Sequence, residues 1–112
     1  MGKARSGGAQ ITESMFRVLA ALRDPLHGYG IMRRVREESG GTVVIGPATL
    51  YAALTQLEEK GFIARTGEPE DARGKKTCLI TEAGRRALAE EAGRLAALAR
   101  AGLAAAKRGG RA

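Results

Sequence analysis

Pro47 to Gln56 is a stretch without a single charge that carries hydroxyls and an amide at Thr49, Tyr51, Thr55 and Gln56. Side chains of this kind exchange hydrogen bonds and do not attack covalent bonds. Thr55 and Gln56 suit base edges, while Thr49 and Tyr51 suit phosphate oxygens. Ala48 and Ala52, beside them, are small enough to admit a partner closely. Tyr51 has a second reading, packing as core against the preceding helix. A separate cluster, Arg73, Lys75 and Lys76, follows the acids Glu68, Glu70 and Asp71. Cations gathered on one side of a turn neutralise phosphates. A solvated turn of mixed charge is the other reading. Arg33, Arg34 and Arg36 read as a solvated face, partly neutralised by Glu37 and Glu38.

No residues are spaced for catalysis. Ser6, Ser14 and Ser39 lack the sharp glycine-flanked turn of a nucleophilic serine. His27 is the single histidine, without Cys or Asp at ligand spacing, and reads as structural, so no metal and no cofactor are expected. No phosphate-cradling glycine pattern occurs. Cys78, the single cysteine, alternates with Thr77 and Leu79 and reads as a small buried hydrophobe.

The elements that must hold these residues follow from periodicity. Thr12 caps a first helix with Glu13 in its first turn, and Asp24-Pro25 stops it. Ile31, Met32 and Val35 face the core from a second helix over 29–39. Thr42 to Ile45 is β-branched and reads as a short strand. Gly46-Pro47 opens a third helix that runs to Lys60, with Leu50, Leu54 and Leu57 as its buried stripe. Residues 62–66 and 77–80 form a hairpin with a charged tip. Thr81 caps a fourth helix reaching Leu103. A helix-turn-helix followed directly by a hairpin is the winged-helix arrangement. The fold class is therefore mainly α with a small β-hairpin. The divisions are a flexible basic arm at 1–11, a winged-helix unit at 12–81, a C-terminal dimerisation helix at 82–103 and a basic tail at 104–112.

The chain has 112 residues, which suits one domain. Its net charge of +7 points to an acidic partner, with nucleic acid the commonest. Alanine supplies 21 residues, against 22 for Leu, Ile, Val and Phe together, so about half the apolar content is methyl-sized. A small alanine-rich domain buries little, which predicts that two copies share a core. The interface is expected at Met15, Phe16, Leu19, Leu88, Leu95 and Leu98. No membrane-spanning run and no leader are seen, and a lone cysteine fits a reducing, cytoplasmic setting.

Several motifs are familiar in combination. They are His27-Gly28-Tyr29-Gly30-Ile31, Gly46 to Leu54, Leu57 to Ile63, Arg73-Gly74-Lys75-Lys76 and Leu79 to Gly84. Together they resemble the PadR family of bacterial transcriptional regulators, over about residues 12–98. The resemblance implies a repressor that binds a pseudo-palindromic operator in double-stranded DNA as a homodimer. The third helix would enter the major groove and the wing its flank. It also suggests release by a small apolar effector lined by Met15, Phe16, Leu19, Leu95 and Leu98, although the favoured reading is that these residues simply fill the interface. The alternative is a winged-helix module that binds protein without operator specificity.

Overall fold

The computed structural model describes residues 11–67 and 76–109. Its elements run α1 (Glu13–Ala21), α2 (Gly28–Glu38), α3 (Pro47–Glu59), β1 (Ile63–Thr66), β2 (Thr77–Ile80) and α4 (Glu82–Gly109). This is a winged helix-turn-helix with a long C-terminal helix.

Thr12 caps α1 through its hydroxyl, which accepts from the Met15 N–H at 3.1 Å. That satisfies one of the amides that every helix start leaves open. The helix stops at Leu22, two residues before Asp24-Pro25. Met15, Val18, Leu19 and Leu22 from α1 meet Ile31 and Val35 from α2 and Leu50, Ala53, Leu54 and Leu57 from α3. Ile45, Ile63 and Cys78 complete this single core. Each fully buried leucine contributes about 1.5–3 kcal/mol relative to exposure, so the three-helix packing dominates stability.

The expected strand at Thr42 to Ile45 is not formed. Ser39 takes over its backbone instead: the Ser39 hydroxyl accepts from Val43 N–H at 2.9 Å. The place beside the hairpin is occupied by Leu26, whose N–H and C=O both pair with Cys78, at 3.2 and 2.8 Å. The hairpin itself is antiparallel, with Ile63 opposite Ile80 and Arg65 opposite Cys78.

At the end of α3, Gly61 N–H donates to Glu58 O and Phe62 N–H to Leu57 O, which turns the chain into β1. Thr81 then ties the joint together. Its hydroxyl donates to Gly61 O at 2.7 Å and accepts from Gly84 N–H at 3.0 Å. Gly84 is pressed against the chain so closely that a Cβ there would lie 2.1 Å from Phe62 O. No other residue fits.

The expected helix end at Leu103 is corrected, since α4 continues to Gly109. Ala104, Ala105 and Ala106 are the strongest helix formers, and Lys107 and Arg108 suit the negative end of the dipole. The turn cost of Gly102 is thereby outweighed. Beyond Glu91 every residue to Arg108 is exposed, with Arg94 and Leu95 still lining a groove beside α1. Among the described residues, no helix is long and apolar enough to cross a membrane.

Candidate nucleic-acid interface

The sequence of α3 divides it into two sides. Leu50, Ala53, Leu54 and Leu57 recur at helical spacing and are buried. Ala48, Thr49, Tyr51, Ala52, Thr55 and Gln56 are all exposed. The structure thus brings all six residues singled out on this helix to its outer surface, which is uncharged as far as Gln56 and carries the exposed Glu58 and Glu59 at its C-terminal end.

Tyr51 combines both of its readings. It is half exposed, yet its phenol lies over the start of α2, where a Cβ on Gly28 would come within 2.9 Å of the hydroxyl. Glycine at 28 therefore makes room for the ring. Beside it opens a cleft of about 650 Å³ between α2, α3 and the wing, lined by His27, Tyr29, Met32, Tyr51, Arg65 and Lys76 among others. The His27 Nδ1–H donates to Lys76 O at 3.2 Å and so fixes the root of the wing beside α2. That is a structural use of the histidine. It leaves the exposed Lys76 side chain at the mouth of the cleft. Arg73 and Lys75 lie outside the described residues.

The helix starts differ in a way that matters for charge. α2 and α3 begin at His27 and Gly46 without a side-chain cap and without an acid in the first turn. Their leading N–H groups and positive dipole ends are thus neither capped by a side chain nor offset by an acid. α1 and α4 begin with Thr12 and Thr81 as caps, and each has a Glu in its first turn.

The arginines of α2 separate. Arg33 and Arg36 are exposed, with Arg33 3.6 Å from Glu37. Arg34 turns back instead, donating to Ala21 O at 3.1 Å and to Asp24 at 2.9 Å. It anchors the end of α1 and is not part of a solvated face.

Sequence reasoning missed Arg65. It lies two residues after buried Ile63, so the strand alternation turns it to the same side, toward α3. There its Nη2 and Nε both donate to Glu58 Oε1, at 2.8 and 3.1 Å. An opposite charge seven residues earlier, at a helix end, was the available signal. Cys78, across the ladder from Arg65, is buried. Burial pushes its thiol pKa up, against a smaller lowering by Arg65. A thiol held protonated is a poor nucleophile. Among the described residues, no group of three or more His, Cys, Asp or Glu is placed to hold a metal.

The residues expected at the chain–chain interface do not stay together. Met15 and Leu19 are completely enclosed, 1% and 0% exposed, and belong to the chain's own core. The reason is that α1 packs against α2, α3 and α4, which covers Met15, Val18 and Leu19 and leaves Phe16 half-buried. Leu88 is half-buried on the same core. Phe16 and Leu95 instead line a groove of about 420 Å³ between α1 and α4, floored by Val35. Leu98 and Leu103 stand exposed farther along α4.

Residues 18–90 match the model of the transcriptional regulator PadR-like family. A 37.1 kDa protein encoded in a transposon of Streptomyces fradiae is 43% identical over 75 residues, 66% of this chain and 20% of that protein. The chain therefore spans about a fifth of the length of this curated relative. A transcriptional regulator from Clostridium thermocellum superimposes with a TM-score of 0.71 at 20% identity, covering 90% of this chain and 92% of that one. Bacillus subtilis PadR in complex with operator DNA superimposes with a TM-score of 0.58 at 26% identity, over 68% of this chain and 44% of that one.

Proposed function

The chain belongs to the PadR-like family of transcriptional regulators, and from that premise we propose that it is a cytoplasmic repressor that binds operator DNA as a homodimer. The observation that carries this is the outer side of α3 from Ala48 to Gln56, uncharged, small and hydroxyl-bearing, at a helix that starts without a side-chain cap. Ala48 and Ala52 let the helix settle in a major groove. Thr55 and Gln56 read base edges, and Thr49 and Tyr51 hold phosphates that set the register. Lys76, with Arg73 and Lys75, adds phosphate contacts from the wing. Bacillus subtilis PadR, a structural relative with operator DNA bound, supports this reading.

Dimerisation is assigned to Phe16, Leu95, Leu98 and Leu103, because half of α4 is an exposed helix with leucines on it. Two copies of α3 must then lie about one DNA turn, ~34 Å, apart. A small apolar effector seated in the groove beside Phe16 and Leu95 would act by changing that spacing. It shifts the equilibrium only if it binds the DNA-incompetent dimer better.

The test is selection of duplexes from a random pool, followed by salt titration of the winner. A two-fold-symmetric site with a steep salt slope is the expected result. The Lys76→Ala variant should weaken all duplexes about equally and reduce the slope by ~1. Binding that selects no sequence and ignores salt would assign the wing and α3 to a protein partner instead.

A further inference from the structure

We propose that the Glu58–Arg65 ion pair is a positioning element for DNA recognition, holding the wing at a set angle to α3 and masking an acid on the surface that meets DNA. The inference rests on the operator-binding reading above.

Glu58 and Glu59 bring acid to the C-terminal end of that surface, and of the two Glu58 is the one that lies toward the wing, paired with Arg65. It lies in the last turn of α3, where the helix dipole is already negative, and it lines the cleft with His27, Tyr51 and Lys76. An unpaired carboxylate there would repel phosphates. Arg65 answers it with two N–H groups on one oxygen, Oε1, at 2.8 and 3.1 Å. The arginine side chain is only 25% exposed, so it is held along its length. Its location in the wing also matters. Arg65 sits opposite Cys78, one residue before the strand ends at Thr66. Nearer the base, the corner between α3 and β1 is already set by the Gly61 turn and by Thr81. The ion pair grips the hairpin farther out. Among the described residues it is the only side-chain hydrogen bond between α3 and either strand. Leu57, Ile63 and Cys78 fix the fold beneath it, so a surface ion pair here adds little to folding. Its effect falls on orientation.

The sign of one experiment separates this from plain electrostatics. Glu58→Gln removes a negative charge near DNA, which by charge alone tightens binding to every duplex. Positioning gives the opposite result. Affinity for the duplex selected from a random pool should fall about three- to tenfold, comparable with the coupling of contacting residues. Affinity for a random-sequence duplex should hold or rise, and the thermal midpoint should hold. Arg65→Gln should also lose the selected duplex. The exchange Glu58→Arg with Arg65→Glu keeps the wild-type net charge and should recover most of the loss, whereas the sign of the Glu58→Gln effect is what a charge count gets wrong. Tighter binding of the selected duplex by Glu58→Gln overturns the proposal, as does an exchange no better than the two single changes combined. A wild-type chain that prefers no duplex would instead bring down the operator reading, and this inference with it.

Discussion

α1 and α4 start on caps supplied by the protein itself, whereas α2 and α3 start without a side-chain cap. The first two open with a threonine cap and a glutamate. The second two open with neither, although they are just as well packed behind. A cap satisfies the first amides from within and an acid cancels the dipole, so both leave little for an external anion. On the proposed reading, the contrast makes the helix starts, and not the helix bodies, the mark of the side that meets negative charge. It also divides mutations into those that act on folding, those that act on chain pairing and those that act on DNA.

The largest effect should come from the joint at the start of α4. Gly84→Ala drives a Cβ to 2.1 Å from Phe62 O and 2.9 Å from an Ile80 methylene. It should cost about 3 kcal/mol or more and lower the thermal midpoint by about 10 °C or more. Retained stability would show that the joint yields. Next is Leu98→Glu, at a residue 56% exposed in the single chain. Its circular dichroism should be unchanged. The dimer dissociation constant should rise about 30-fold, the scale of an interface hot spot, as read by sedimentation.

Two smaller changes test the helix starts directly. Thr12→Ala should remove about 1 kcal/mol of folding stability, by denaturant titration, and leave DNA affinity alone. Gly46→Asp should do the reverse. The backbone at 46 is extended and nothing lies within 4 Å of a Cβ there. The new carboxylate should cap α3 and gain a few tenths of a kcal/mol, while weakening DNA binding about three- to tenfold. If Gly46→Asp tightened binding, the uncapped start of α3 would not face phosphates.

Most of the frame was legible because local rules and tertiary packing agreed. Thr12, Thr81 and the Leu50, Leu54, Leu57 stripe each did in the structure what their spacing required. Where tertiary partners decided, sequence misled. Val43 and Val44 favour a strand, but Leu26 holds the hairpin edge and Ser39 holds their backbone. Met15 and Leu19 looked like interface because apolar periodicity does not say which partner covers it. Arg34 looked solvated because its contacts are to Ala21 and Asp24, 13 and 10 residues away. The candidate site was legible on α3, where exposure follows from the opposite stripe. It was not legible at Arg65, whose role depends on how the strand leaves the helix.

The seam formed by Thr81, Gly61 and Gly84 has a mechanical consequence. It leaves no slack between the wing, the end of α3 and the root of α4. α4 is 28 residues long, a rod of about 42 Å at the usual rise, so a tilt of about 5° at its root sweeps its far end by about 4 Å. On the proposed reading, that tight seam would carry such a sweep into the angle at which α3 meets DNA, making α4 the handle of a crank.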